Sequence, residues 1–360
     1  MLCRGRVAES LRWVEEAMNA AETYGDADLM IVGHQAAEVA YFWLGDPIKT
    51  RAHADRVLAL YGQERHGHLV RVLNHDLKAH SLCYSALSTW MLGYPEQAVT
   101  IGDAGDAHAR RFGHPFDLCW TLTRGCMVFE FLGEPDECLK RIKEAGRLGR
   151  ENSLSALAEA LVPETGIALI RKGQIAEGVA LLKRGIAFWE GSDGRFLNPR
   201  CKSVLAEGIA QLGDPDGALA LANEAIAQVE QPGWEERWYY AETLRIKGGL
   251  LALKGDPEGA EGAYIASLDW ARQQQAKSWE LRTATGYARL LRDQGRVGEA
   301  QELLAPVYGW FTEGFATKDL KKAGALLDDL THASALPNEG SAVVGTAVDG
   351  GYTRRPASSG

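Results

Sequence analysis

Apolar residues recur at steps of three and four along much of this chain, which is the spacing of one face of an α-helix. Two clear stripes are Val7, Leu11, Val14, Met18, Ala21 and Ala218, Leu221, Ala225, Val229. Other stretches become apolar and aromatic towards their ends, as in YFWL (41–44) and FEFL (129–132). We expect these aromatic side chains to pack between helices rather than to hold a ligand. The pattern predicts an all-α protein with two alternating kinds of helix, A and B.

A glycine recurs at the turn from each A helix to its B helix. The turn glycines are Gly5, Gly45, Gly93, Gly133, Gly173, Gly213, Gly255 and Gly295, at intervals of 40, 48, 40, 40, 40, 42 and 40 residues. Three turns read Gly-Asp-Pro, at 45–47, 213–215 and 255–257. Glycine supplies the left-handed residue that ends a helix, Asp can cap the next helix, and Pro suits its first turn. A fixed period of this size is typical of a repeat array.

Small residues follow these glycines at two fixed positions. The residues five positions after each turn glycine are Ser10, Thr50, Ala98, Cys138, Gly178, Ala218, Ala260 and Ala300. The residues twelve positions after each turn glycine are Ala17, Val57, Gly105, Ala145, Gly185, Ala225, Ser267 and Val307. Positions seven apart share one helix face, and small side chains there let antiparallel helices approach closely. This resembles the tetratricopeptide pattern with longer helices. We therefore predict a right-handed tetratricopeptide-like solenoid of about eight hairpins of about 40 residues over 1–332.

The two ends of the array differ. Gly5 has four residues before it, so the first repeat is incomplete, and we favour the interpretation that this chain is the C-terminal part of a longer polypeptide over cover by a partner. At the other end, Thr317 can cap a last helix over 318–330 with a charged solvent face, as a terminal repeat requires. The Ser-, Gly- and Pro-rich segment 333–360 is predicted to be a disordered tail.

Several runs resemble the C-terminal repeat region of bacterial proteins that join a class III adenylate/guanylate cyclase, an AAA-type ATPase and a tetratricopeptide-like array. They are WMLGYPEQAV (90–99), FGHPFDLCW (112–120), AETLRIKGGLL (241–251) and the nearly continuous block 273–330. The resemblance implies a signalling role with cyclase and ATPase modules as partners encoded upstream. The chain itself has no GxxxxGK[ST] phosphate loop and no recognisable pair of cyclase aspartates. Any cyclase or ATPase activity belongs to the family and is not encoded by these residues.

Composition and charge narrow the range of possible partners, compartments and cysteine sites. The net charge of −9 and the lack of a basic patch argue against nucleic-acid binding. No signal peptide and no apolar stretch long enough to cross a bilayer is visible, so we predict a cytoplasmic protein without membrane contact. The six cysteines form no C-x-x-C pair, which favours free, mostly buried thiols over a zinc or redox site.

Candidate chemistry is sparse. The longest interval between turns holds His66, His68, His75 and His80, which we interpret as loop and surface residues because no acidic partner stands at a suitable spacing for a metal. The eight extra residues there are expected to form loops, which in solenoids often lie at a binding edge. No nucleophile or acid–base pair stands out. We predict no catalytic residue, no metal and no cofactor.

One surface is a candidate for partner binding. If residues 234–254 form a helix, Trp234 and Trp238 share a face next to Arg237 and Arg245 and could bind a peptide or a small effector. Core packing of the same aromatic residues is the competing interpretation. The sequence thus predicts a non-catalytic module that binds a protein or peptide. The alternative function is the effector-sensing arm of an ATPase-type transcription regulator, which a helix-turn-helix module encoded nearby would favour.

Overall fold

The computed structural model describes residues 6–191 and 197–335, and these are helical with short turns. The helices are α1 (Val7–Tyr24), α2 (Ala27–Leu44), α3 (Pro47–Leu60), α4 (Gln63–His66), α5 (Val70–Leu73), α6 (Leu77–Met91), α7 (Pro95–Phe112), α8 (Pro115–Leu132), α9 (Pro135–Glu151), α10 (Ser155–Lys172), α11 (Ile175–Glu190), α12 (Asn198–Gln211), α13 (Pro215–Glu230), α14 (Tyr240–Leu253), α15 (Pro257–Gln273), α16 (Lys277–Asp293), α17 (Val297–Gly309) and α18 (Lys318–Ala335). A 3₁₀ turn, Gly67–Leu69, joins α4 to α5. No helix of the described residues is long and apolar enough to span a membrane.

The predicted alternation of A and B helices is confirmed. The hairpins of the array are α2–α3, α6–α7, α8–α9, α10–α11, α12–α13, α14–α15 and α16–α17, with α1 before them and α18 after them. Gly5 lies outside the described residues. Helix α18 extends to Ala335, and the rest of the predicted tail, 336–360, also lies outside them.

The turn glycines behave as the sequence indicates. From Gly45 to Gly295 all seven have φ between +78° and +97°, a conformation that favours glycine because it has no Cβ. After three of them, Asp46, Asp214 and Asp256 each accept a hydrogen bond from the backbone amide three residues on, at 2.8–2.9 Å. Each of these three turns therefore ends one helix and caps the next.

The small residues meet at the hairpin contacts. From Thr50 to Ala300 every residue five places after a turn glycine is buried, and so is every residue from Val57 to Val307 at twelve places. Ala218, Ala225 and Ala260 have no exposed surface. Close approach of the paired helices leaves no room for larger side chains there.

The array curls until later repeats contact earlier ones. Rings from α2, α6, α8, α16 and segment 231–239 pack around a common axis, which we call the aromatic axis: Phe42, Trp43, Trp90, Phe131, Trp238, Tyr239 and Trp279. The ring centroids of Trp90 lie 4.6 Å from Phe131 and 4.7 Å from Trp279. The A helices thus face inwards, and we call the inner side of α8, α10, α12, α14, α16 and α18 the inner wall.

Two irregular segments fasten the curl. In 231–239, the amide of Arg237 donates to the carbonyl of Trp43 at 2.7 Å. In 310–317, the carboxylate of Glu313 accepts from the amides of Glu96 and Gln97 at the start of α7, and the Glu96 carboxylate accepts from the Gly314 amide at 2.9 Å. These reciprocal bonds join residues more than 200 positions apart.

The insertion between Gly45 and Gly93 is more ordered than a loop. It forms α4, the 3₁₀ turn and α5, and the prediction of surface histidines is wrong for His66 and His80, which are buried. His80 stacks between His75, at 4.0 Å, and Trp120, at 4.7 Å. Burial lowers the pKa of His80 well below its ordinary value, so the stacked rings are neutral.

The cysteine prediction is confirmed for the five cysteines that the structure describes. Cys83, Cys119, Cys126, Cys138 and Cys201 are free and buried. Burial raises the pKa of the Cys201 thiol to about 12, which keeps it protonated. No group of three or more His, Cys, Asp or Glu within 6–191 and 197–335 is arranged to hold a metal ion.

Replacing Ala218 or Ala260 by Leu tests the hairpin contact. Because neither side chain has free space, Ala218→Leu and Ala260→Leu should each lower the free energy of unfolding by about 1–3 kcal/mol through overpacking. Gly262→Ala is the matched control on α15, since an added Cβ there meets no atom within 4 Å. It should stabilise the helix by about 0.5–1 kcal/mol. Urea unfolding of the three variants measures this, and unchanged midpoints for both leucines would contradict the assignment.

Candidate functional site

The four residues predicted as a partner surface do not share an exposed face. Helix α14 begins at Tyr240, so the prediction of a helix from residue 234 is wrong. Trp238 is fully buried in the aromatic axis and Trp234 is 7% exposed. Trp238 is buried against Phe42 and Trp43 at the end of α2, whereas Trp234 lies beside Asn198 and Lys202 of α12. Arg245 does lie on the inner wall, and its role in partner binding stays a prediction.

The inner wall carries a continuous chain of ion pairs that we call the charge chain. Acidic and basic side chains alternate along it in the order Glu164, Arg200, Glu130, Arg171, Glu207, Arg245, Glu242, Arg282, Asp319. They come from α8, α10, α12, α14, α16 and α18, so the chain crosses every repeat of the second half. The N–O distances between its neighbours lie between 2.6 and 3.2 Å. Each inner carboxylate therefore bridges two arginines.

The charge chain is ionised throughout its centre. Burial alone would raise the pKa of Glu207, but Arg171 and Arg245 outweigh this effect and lower it to about 2. Burial also opposes ionisation of Glu130, whose pKa is nevertheless lowered by Arg200 and Arg171. Arg200 has no exposed surface and bonds Glu164 at 2.9 Å. Such groups tolerate burial because every charge has an opposite charge within hydrogen-bonding distance.

A cavity of about 180 Å³ opens beside the charge chain, between α8, α16 and α18. Its lining includes charge-chain members together with Arg289, Thr285, Lys318 and Lys322. The Cβ of Lys318 packs against Gly133, the turn glycine after α8, so the base of this side chain is fixed at the cavity. Arg282 donates to the carbonyl of Phe131 at 2.7 Å, and both residues line the cavity.

Three of the cavity's cations stand outside the charge chain. Arg289, Lys318 and Lys322 form no ion pair with a residue of the described parts of the chain. Their nearest acid, Asp319, bonds Arg282 at 2.6 Å. Burial, followed by the charge of Lys318, lowers the pKa of Lys322. The mouth of the cavity is therefore positively charged although the protein as a whole is acidic.

The spacing of charged residues from the turn glycines, unlike the overall composition, predicts part of the charge chain. Arg200, Glu242 and Arg282 each stand 13 residues before a turn glycine, namely Gly213, Gly255 and Gly295. Equivalent positions in successive repeats lie side by side in a solenoid, so charges of opposite sign in one register predict ion pairs between repeats. Arg289, Lys318 and Lys322, which we call the cation cluster, have no such signal. Arg289 lies in a helix of the last hairpin, whereas Lys318 lies in the helix that follows the last hairpin.

Removing one bridging carboxylate should destabilise the whole inner wall. Glu207→Gln leaves Arg171 and Arg245 short of a partner and should lower the free energy of unfolding by about 2–5 kcal/mol near pH 7. Because the folded pKa of Glu207 is lowered to about 2, its contribution is present above the ordinary pKa near 4.5 and is lost as the pH falls through 2. Glu302→Gln on the exposed side of α17 is the control. Equal unfolding midpoints for the two variants would contradict this role.

The contribution of Glu236 to stability should change with pH in the direction opposite to that of Glu207. Glu236 accepts hydrogen bonds from the Trp238 indole at 3.1 Å and the Leu197 amide, and its second oxygen has no partner among the residues that the structure describes. Burial raises its pKa to about 8, so wild-type stability should fall as the pH rises from about 4.5 to 8. Glu236→Gln removes this loss and should gain up to about 1.4 kcal/mol per pH unit relative to wild type. Unfolding curves at pH 5, 6 and 7 measure it; a constant difference would contradict the assignment.

Comparison with known proteins supports the repeat assignment. Residues 199–224 and 281–306 match the tetratricopeptide repeat model, and each match covers the turn between an A and a B helix. AMP phosphorylase from Methanococcus maripaludis is 28% identical over 166 residues. That match covers 42% of this chain and spans 30% of the length of that relative.

Solved structures show the fold. The Rap protein complexed with competence and sporulation factor superposes with a TM-score of 0.55 at 10% identity, covering 91% of this chain and 98% of that one. The Cut9–Hcn1 assembly gives 0.54 at 14% identity over 91% of this chain and 53% of that one. NprR in complex with its peptide NprX gives 0.53 at 14% identity, covering 87% and 85%. The chain therefore has the fold of a helical-repeat solenoid, with tetratricopeptide matches at 199–224 and 281–306.

Proposed function

We propose that this chain is a non-catalytic regulatory module that binds a protein or peptide partner along its inner wall. The observation that carries the proposal is the charge chain, which lines the inner wall across the second half of the array beside an open cavity. Tetratricopeptide repeats support an interaction role. Two structures of the same fold, Rap and NprR, are complexes with a signalling factor and a cognate peptide.

The chemistry of the wall favours binding over catalysis. A general acid or base must exchange a proton near the working pH. Glu207 has a pKa of about 2 and is held by two arginines, so it stays ionised and fully bonded. Fixed charges of this kind orient a polar partner and discriminate against mismatched ones.

The resemblance of 273–330 to cyclase–ATPase regulators supports a finer proposal. In it, the partner is a cyclase or ATPase module, and the array regulates that module. The second candidate is an effector-sensing arm of an ATPase-type transcription regulator, which is favoured by the half-open, charged cavity between α8, α16 and α18. The reading frame and neighbouring genes distinguish the two, since the first requires a cyclase and the second a helix-turn-helix module.

Selection from a random peptide display library tests partner binding. Peptides retained by the immobilised wild-type chain should protect α10, α12, α14 and α16 from hydrogen–deuterium exchange. They should bind Arg289→Glu more weakly than wild type by roughly tenfold, because Arg289 lines the cavity. Arg292→Glu, on the same helix and outside the cavity lining, should bind as wild type does.

Two outcomes would contradict the proposal. One is the absence of any selected peptide under conditions in which the chain is folded by circular dichroism. The other is protection confined to the B helices, with equal binding by both arginine variants. The latter would move the partner site to the outer face.

A further inference from the structure

We propose that the cavity between α8, α16 and α18 binds the phosphate group of a small effector molecule. The proposal goes beyond partner binding by the inner wall and does not depend on it. It rests on the number of charges around the cavity, their distribution and the space that they enclose.

The charges around the cavity do not balance. Six basic side chains line it, namely Arg171, Arg245, Arg282, Arg289, Lys318 and Lys322, against four acidic ones, Glu130, Glu207, Glu242 and Asp319. Just behind the wall, Arg200 and Glu164 pair with each other. Two positive charges are therefore uncompensated around a half-open cavity. This arrangement attracts an anion.

The positive charge is concentrated at one side of the cavity. Arg289 comes from α16, and Lys318 and Lys322 stand one helical turn apart on α18. Like charges at this spacing on a helix repel each other and weaken it. Asp319 offsets this repulsion in part, but it also pairs with Arg282 at 2.6 Å. A bound anion would reduce the repulsion among these three cations.

The two uncompensated positive charges favour a phosphate over a carboxylate as the ligand. A phosphomonoester carries about −1.5 to −2 charges near pH 7 and offers three acceptor oxygens. One carboxylate supplies a single charge and would leave the cluster positive. The arginine guanidinium can bond two phosphate oxygens in parallel, and the lysine ammonium groups complete a cradle.

The space fits a small molecule. A cavity of about 180 Å³ equals the share of roughly six water molecules in the liquid, enough for a phosphate group and a few attached atoms. The hydroxyl of Thr285 donates its proton to the Leu281 carbonyl, so the cations must supply the hydrogen-bond donors for a phosphate. Lys318 and Lys322 remain accessible to solvent, so a ligand can reach them.

Titration calorimetry with pyrophosphate and adenosine diphosphate tests the proposal. Both probes should bind wild type, and the affinity should fall by at least about tenfold in Lys318→Glu/Lys322→Glu and more modestly in Lys318→Ala/Lys322→Ala. Lys321→Glu is the matched control, since Lys321 lies on the same helix outside the cavity lining and should bind as wild type does. Circular dichroism verifies that each variant is folded.

The probes also separate the sources of the phosphate. Tighter binding of adenosine diphosphate than of pyrophosphate identifies an organic phosphate, and equal affinity identifies a free phosphate; both support the site. Binding of oligoglutamate without binding of pyrophosphate would overturn the proposal in favour of a carboxylate site. So would failure of both phosphate probes, or equal affinity in wild type and the double glutamate variant. Peptide selection is a separate measurement, so failure of the phosphate probes would leave its result on the inner wall standing.

Discussion

The return of the chain to its own first turn is the constraint on which the rest of the structure depends. Ordinary repeat arrays are held by contacts between neighbours. Here Ser278 donates to the carbonyl of Trp90 across 188 residues, and Ala8 donates to Glu235 across 227. The aromatic axis closes only if every intervening hairpin adds the correct rotation. Removal of a whole hairpin from between them would displace Trp238 and Trp279 from Trp43 and Trp90.

The curl also decides where polar groups can lie. The axis is filled by aromatic rings near α2, α6 and segment 231–239, whereas the inner wall from α8 to α18 is filled by the charge chain. Buried ions are tolerated when each is paired, and the pairs of the charge chain link α8, α10, α12, α14, α16 and α18. The rigid wall holds Arg289, Lys318 and Lys322 close together in spite of their repulsion.

Local rules made the repeats predictable. Positive φ at the turn glycines, Asp capping and small residues at the hairpin contacts depend on a few neighbouring residues, and the sequence indicates them correctly. The contacts that fold the array onto itself do not obey such rules. Trp234 and Trp238 have helical spacing, yet their segment is irregular because it binds the end of α2. The cluster of Arg289, Lys318 and Lys322 likewise depends on how α18 packs against α16 and α17, which no local pattern specifies.

The long-range closure has a consequence during synthesis. Trp43 emerges from the ribosome well before its partner Arg237, and translation at about 5–20 residues per second separates them by roughly 10–40 s. Throughout that interval the aromatic ends of α2 and α6 lack the segment that buries them, although their own hairpins can already form. The nascent chain is then most prone to aggregation, and chaperone binding would be most useful before residue 240 has been made.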